Sequence, residues 1–289
     1  MKTQGTTVGV IGLGLIGCSL AIGLKKTGFA ARVLGSDKRE EHQQQALQAG
    51  HIDVIASPEQ IARESDVVVV AVPVDASVEV VRDALDHSED RTTVIDVGST
   101  KKRIVDALST HPAHARFIPT HPMAGTENSG PLAAVDGLLE NRKVILLPYP
   151  DADPARVEQI ERMYTMLGAQ TVRMDAPRHD MSVAYVSHIS HISSYALALT
   201  VLNKERDERN ITNLAAGGFD STARLAKSSA EMWEPIFLEN RKAILDVIDE
   251  YIENIVLFKH AIKSGNGEVI RTLIRQANKV REVLDKGKK

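Results

Sequence analysis

One cysteine, one tryptophan and an aromatic content of only 4% in 289 residues leave no room for a disulfide-built scaffold or an aromatic-lined repeat fold. Cys18 has no partner within the chain and sits just after a glycine-rich run, so it reads as buried packing in a reducing compartment. An excess of one charge is missing as well. The 35 Lys and Arg residues against 38 Asp and Glu give a net charge of −3, and the two signs are interspersed. That balance argues against nucleic acid or an anionic membrane as partner and favours a small-molecule substrate. No apolar stretch precedes the first strand signal, so no signal peptide is expected and the chain reads as cytoplasmic. Met181 to Asn203 carries no formal charge over a membrane-like length, but it holds five serines, two histidines and an asparagine. The expectation is a helix buried on nearly all sides, in a core or a subunit interface, with no membrane involvement.

The most informative segment is Val8 to Gly17, VGVIGLGLIG, an apolar run that breaks into Gly12-x-Gly14-x-x-Gly17 and continues at helical spacing through Leu20 and Leu24. Here a strand turns into a helix over a dinucleotide. Gly12 permits the turn, Gly14 lets the backbone approach a pyrophosphate, Gly17 lets helix and strand pack closely, and the helix start offers free N–H groups. A second run, Arg32 to Ser36, ends on Asp37, 20 residues after Gly17. An acid there holds the adenosine ribose and repels a 2′-phosphate, so NAD is expected over NADP, with Lys38 and Arg39 softening the preference. Leu15 and Ile16, and the Val72-Pro73 end of a third run, complete the expected cofactor contacts.

The chain divides by periodicity. Runs at Val8–Ile11, Val33–Gly35, Val67–Val72, Thr93–Val97, Phe117–Thr120, Lys143–Leu147 and Thr171–Met174 read as strands, with helical patterns between most of them. The expected fold is therefore α/β: a Rossmann-type, mostly parallel sheet over residues 1–175. Strand signals stop at Ala176-Pro177. Residues 176–289 read as an all-helical substrate and dimerisation domain, comprising the uncharged stretch, a piece at Asn210–Ala216 closed by Gly217-Gly218, a piece from about Asp220, an amphipathic run from Pro235 to about Lys263, and a basic terminal helix after Gly265-Asn-Gly267.

Four segments carry residues suited to chemistry. Asp96-Val-Gly-Ser99-Thr-Lys101 ends a strand, and Lys101, Lys102 and Arg103 then place cations in a first helical turn, against the helix dipole. Ser99 is either a simple N-cap or, with Lys101, part of a ligand site at the carboxyl edge of the sheet. His121-Pro-Met-Ala-Gly125-Thr126-Glu127 follows the next strand and brings His121 to the same edge, as a catalytic or a hydrogen-bonded structural histidine. His111-Pro112 repeats the dipeptide in a polar loop and reads as surface. His188 and His191, three apart, share a helix face. A metal pair lacks a carboxylate or cysteine at ligand spacing, so no metal is expected, and subunit burial or substrate contact remain. Arg224, after Gly217-Gly-Phe, places a guanidinium in an expected first turn, suited to a carboxylate. Trp233 reads as core.

In order and spacing, Gly12-x-Gly14-Leu-Ile-Gly17, Asp96-x-x-Ser99-x-Lys101, His121-Pro-Met-Ala-Gly125-Thr-Glu, Ser187-His188-x-x-His191 and Gly217-Gly-Phe-x-x-x-x-Arg224 resemble the prephenate and arogenate dehydrogenase family. The resemblance implies NAD-dependent oxidation of the C4 alcohol of prephenate with loss of CO2, giving 4-hydroxyphenylpyruvate for tyrosine synthesis. A homodimer through the helical domain is expected from the apolar surface that Met181–Asn203 and the long run after Pro235 together offer. By the same resemblance His121 takes the hydroxyl proton, Ser99 orients it, Arg224 holds the ring carboxylate, and His191 lies near the side-chain carboxylate. His188, Thr126 and Lys101 complete the substrate contacts. An acid limb near pH about 6.5, the ordinary imidazole value, follows if His121 titrates freely. The chain departs from the family pattern at Ser190, Asp220 and Ser221. Competing readings are the same oxidation acting on arogenate to give tyrosine, a 6-phosphogluconate or 3-hydroxyacid type of enzyme, which would use a lysine in the helical domain, and a non-enzymatic nucleotide-binding redox sensor or dimeric scaffold.

Overall fold

A computed structural model describes residues 5–126, 128–208, 211–214 and 217–286. Glu127 and the ends of the Asn210–Ala216 piece lie outside the described residues; the middle of that piece is a 3-10 turn, Thr212–Leu214. The chain forms two compact units, Met1–Arg241 and Lys242–Lys289.

Among the described residues the first unit is built on eight strands, β1 (Thr6–Ile11), β2 (Ala30–Ser36), β3 (Val54–Ile55), β4 (Val67–Val70), β5 (Thr93–Asp96), β6 (Phe117–Pro122), β7 (Lys143–Leu146) and β8 (Gln170–Arg173). They lie in the order β3-β2-β1-β4-β5-β6-β7-β8. The pairs are parallel except β6 with β7, where the chain reverses. Helices alternate with the strands: α1 (Leu15–Lys26), α2 (Glu40–Gln48), α3 (Pro58–Glu64), α4 (Val74–His87), α5 (Lys102–Leu108) and α6 (Pro154–Met166). The doubly wound plan follows from β4. Val67 and Val69 join a core that includes Leu20 and Leu24 of α1 and Ile160 of α6, while Val68 and Val70 join a second core with Ile61 of α3, Leu85 of α4 and Leu108 of α5. A strand apolar at every position is what two covered faces require. β3, only two residues long, had no periodicity to betray it.

After β8 the chain is helical: α7 (Ala176–Val183), α8 (Ile189–Asp207), α9 (Gly217–Ala223) and α10 (Ala230–Glu239). Three expectations change here. The uncharged stretch is broken by a π-helical segment, Ala184–His188, and exposes Val186, Leu199 and Leu202. Gly217 and Gly218 open α9 instead of closing a helix, so Arg224 follows α9 in a 3-10 turn and is not in a first α-helical turn. The run from Pro235 to Lys263 is interrupted at Asn240, whose side chain is committed to partners described below. Residues 176–241 also pack into the first unit. Trp233 and Ile236 of α10 bury against Val74 of α4, and Glu239 accepts hydrogen bonds from Thr100 Oγ1, 2.6 Å, and from the Arg103 guanidinium.

The second unit holds most of α11 (Arg241–Lys263), with α12 (Gly267–Asn278), capped by the Asn266 side chain at the Val269 N–H, and α13 (Val280–Lys286). No described helix is long and apolar enough to cross a membrane.

The glycine turn is fitted to its neighbours. Gly12 has φ +103°, and a Cβ at Gly17 would lie 2.1 Å from the Gly12 carbonyl oxygen, whereas a Cβ at Gly14 would meet nothing within 4 Å. Cys18 is fully buried beside the turn; burial, then the Asp37 carboxylate, push its thiol up to about 12, so it stays protonated. Gly17→Ala should cost about 1–3 kcal/mol by overpacking, while Gly14→Ala should stay within about 0.5 kcal/mol of the parent. Denaturant unfolding of both variants checks this; equal losses would mean that the turn is not packed as described.

Candidate active site

A cleft of about 2050 Å³ runs along the carboxyl edge of the sheet, within the first unit. Gly12, Gly14, Leu15, Ile16, Asp37, Val72 and Pro73 line one part of it, and Ser99, His121, Thr126, His188, His191 and Arg224 line another. Gly17 lies behind the wall, packed on the turn. Lys101 is not a lining residue.

The cofactor side is a helix start without a side-chain cap: Gly14 is the N-cap of α1, and no side chain caps the N–H groups of the first helical turn. With open space above Gly14, that cradle fits a pyrophosphate. Asp37 closes it. Its Oδ2 accepts the Leu13 N–H at 2.8 Å and its Oδ1 the Arg39 N–H at 2.9 Å, so the acid pins the glycine turn to the end of β2. Each oxygen retains a further lone pair for a ribose hydroxyl.

On the opposite side the ladder delivers His121, on β6, to the cleft with only 8% of its surface exposed. Its Nδ1 lies 2.8 Å from Nε2 of His179, and His179 Nδ1 lies 2.7 Å from Asp180 Oδ1. His179 is fully buried. Asp180 Oδ1 also accepts the Lys101 N–H at 2.8 Å, and Oδ2 accepts the Lys102 N–H at 2.9 Å. The start of α5 is therefore capped by a carboxylate from α7, which explains how cations are tolerated in its first turn. Burial works to raise the Asp180 carboxyl, but the His179 hydrogen bond and the two N–H groups hold it below the ordinary carboxylate range. An ionised Asp180 can only accept, so His179 carries its proton on Nδ1. With a single proton, on Nδ1, His179 accepts at Nε2 from His121 Nδ1–H, which leaves the lone pair of His121 on Nε2, a nitrogen with no protein partner among the described residues. Burial, reinforced by the neighbouring His179, Lys101 and His188, drives the His121 imidazole well below its ordinary range. The simple titration near 6.5 expected from the sequence does not apply to it.

Two other expectations are corrected. His121 Nδ1 is held by His179, and among the described residues no hydrogen bond joins Ser99 to the imidazole; Ser99 lines the cleft. Lys101 turns inward, and its Nζ, 0% exposed, is 2.5 Å from Asp96 Oδ2. Asp96 Oδ2 also accepts the Gly98 N–H at 2.9 Å, so this ion pair braces the loop carrying Ser99. Lys102 and Arg103 pair with Asp106 and Glu239. His111 is bonded to Asp86 in the turn before β6.

His188 ends the π segment, and Asn240 Nδ2 donates both to the Asp180 carbonyl, 2.7 Å, and to His188 Nδ1, 3.2 Å. Asn240 thus interrupts the helix where it joins this network. Burial lowers the His188 imidazole to about 4, with its proton on Nε2. His191 stacks on Trp233, ring centroids 3.6 Å apart, and its Nδ1–H donates to the Ser187 carbonyl. Burial, opposed by that carbonyl and helped by the Arg224 guanidinium, lowers it as well. Trp233 is core and cleft wall at once. Asp220, at a position of departure from the family pattern, pairs with Lys227 at 3.1 Å.

His179, Asp180 and Asn240 were not singled out in the sequence. The only signal was a histidine–aspartate pair at the edge of the uncharged stretch, 58 residues from His121.

A glycine-turn helix start suited to a dinucleotide and a buried histidine lining one cleft fit a nicotinamide-type dehydrogenase. The family model for the prephenate dehydrogenase nucleotide-binding domain matches residues 20–173, and that for the prephenate dehydrogenase dimerization domain matches residues 175–276. The chain belongs to the prephenate dehydrogenase family. It is 34% identical over 288 residues to the prephenate dehydrogenase of Bacillus subtilis, covering 98% of this chain and 77% of that protein. It is 32% identical to the cyclohexadienyl dehydrogenase of Zymomonas mobilis, covering 96% and 95%. The solved structure of Aquifex aeolicus prephenate dehydrogenase in complex with hydroxyphenyl propionate and NAD+ superposes with a TM-score of 0.89 at 29% identity, covering 98% of this chain and all of that one.

The corrected role of Lys101 has a direct test. Lys101→Met leaves a buried carboxylate unpaired and should cost about 3–5 kcal/mol of stability. Adding Asp96→Asn, which keeps an acceptor for Gly98, should recover part of that loss. Additive losses in the double variant, by denaturant unfolding, would show that the pair is not coupled.

Proposed function

We propose that this chain is an NAD-dependent enzyme that oxidises prephenate, with loss of CO2, to 4-hydroxyphenylpyruvate in tyrosine synthesis. One observation carries the reading: His121, buried and held through Nδ1 by His179, lines the same cleft as the Gly12–Gly14 cradle. NAD bound along that cradle supplies the hydride acceptor. His121 accepts a hydrogen bond from the C4 hydroxyl and then its proton. The exposed Arg224 suits the ring carboxylate, and His191, held flat on Trp233, lies near the side-chain carboxylate, with Thr126, His188 and Ser99 lining the space between. Loss of CO2 needs no further base, because the dienone becomes aromatic as it leaves. Asp37 favours NAD over NADP.

The division into a cofactor domain over residues 1–175 and a helical substrate and dimerisation domain over 176–289 is supported by the junction of the two family matches near residue 174. A homodimer is supported by the second of them and by apolar side chains left exposed, Leu199 and Leu202 on α8 and Leu245, Ile252 and Ile255 on α11. Light scattering at micromolar concentration should return twice the 31.5 kDa of one chain; a monomer contradicts this.

Initial rates with prephenate and arogenate, each with NAD and NADP, test the reaction. Prephenate with NAD should be the fastest pair, releasing NADH and CO2 together. His121→Asn should lower kcat by about 10²–10⁴ while NAD affinity stays near that of the parent. A faster rate on arogenate, or a near-normal Asn variant, would overturn the assignment.

A further inference from the structure

The histidine behind the base has no place yet in the chemistry. His179 touches neither the cleft nor a surface, being 0% exposed, and all its ring nitrogens are committed: Nε2 to His121 Nδ1 and Nδ1 to Asp180 Oδ1. An imidazole buried solely for packing would be poorly chosen, since each of its polar atoms must be matched. Here they are matched in a line that ends on an ionised carboxylate.

That line solves a difficulty. A general base must hold the proton it takes, yet His121 is enclosed, with Lys101 of the β5–α5 loop, His179 of α7 and His188 of the π segment around it, and positive charge on its own ring is disfavoured there. Lys101 is neutralised by Asp96, and His188 is tied to Asn240, so neither can relieve it. Among the described neighbours of His121, His179 combines a nitrogen already bonded to His121 Nδ1 with a carboxylate behind it.

We propose that Asp180 and His179 form a proton relay behind His121. As the substrate O–H bond breaks and an Nε2–H bond forms on His121, the Nδ1–H bond of His121 breaks and an Nε2–H bond forms on His179. The positive charge settles on His179, against the Asp180 carboxylate, and His121 ends neutral in its other tautomer. No electrons are transferred in this step; the hydride leaves the substrate carbon separately. His179 and Asp180 are positioning residues that act through His121, and the proposal rests on the reading of His121 as the base.

The acid limb of kcat/KM separates this relay from a merely structural role. If His121 titrates on its own and His179 is only a neighbour, His179→Gln removes a repelling imidazole and moves the limb to higher pH. If the proton is shared, the same variant strips His121 of the group that holds the charge, and the limb moves down by about one pH unit or more. Gln keeps an acceptor for His121 Nδ1–H and a donor for Asp180. We expect kcat for prephenate oxidation to fall about 10- to 100-fold, the downward shift, and a KM within about threefold of the parent. A proton inventory on the wild-type enzyme, in mixed H2O and D2O, needs no variant: it should be curved, with two protons in flight. A straight inventory, or an unmoved or raised acid limb in His179→Gln, overturns the relay. An active wild-type enzyme whose His121→Asn variant is also active would instead remove the underlying reading of the base.

Discussion

The Asp180 carboxylate is the point on which the site is built. It caps the start of α5 through the Lys101 and Lys102 N–H groups and fixes the tautomer of His179, while its own backbone carbonyl accepts from Asn240. Three segments distant in sequence, the loop after β5, the start of the helical region and the end of α10, are thereby set relative to one another. Charge-assisted hydrogen bonds of this kind are roughly twice as strong as neutral ones. Their geometry reaches the cleft through one further hydrogen bond, from His121 to His179. A surface aspartate capping a helix would stabilise locally; this one also joins the helix start, through His179, to the side chain of His121.

The fold was legible wherever periodicity was strong. β4, the glycine turn and α4 could be read from spacing alone, because two-sided burial and a one-faced helix each leave a distinct pattern. Boundaries failed where tertiary contacts decided them. Asn240 breaks what reads as one amphipathic run because its amide serves two buried acceptors. Gly217-Gly218, a natural stop signal, opens a helix instead. The π segment at Ala184–His188 has no sequence signature here, yet it ends on His188 and so shapes the cleft wall.

Much of the cleft lining could also be anticipated, since the carboxyl edge of a parallel sheet gathers the ends of successive strands. The residues behind the lining could not. Lys101 looked like a ligand by its place in a first helical turn, but a fully buried ion pair with Asp96 consumes its charge. The family resemblance implies Ser99 as the orienting group, while the contact that holds His121 Nδ1 comes from 58 residues away. Pairwise contacts of that range leave no periodic trace in a single sequence. What could have been noticed is a histidine–aspartate pair lying immediately before a long uncharged stretch, where a charged side chain needs a buried partner.

The account turns on which nitrogen of His121 carries the proton at rest. Nitrogen-15 NMR of histidine-labelled enzyme at neutral pH reads this directly, with the His121→Asn spectrum identifying the resonance pair. Asp180 and His179 in the arrangement described require His121 to be protonated on Nδ1 and bare on Nε2, with His179 protonated on Nδ1. A His121 that carries its proton on Nε2 and presents a bare Nδ1 to His179 would contradict the account at its centre.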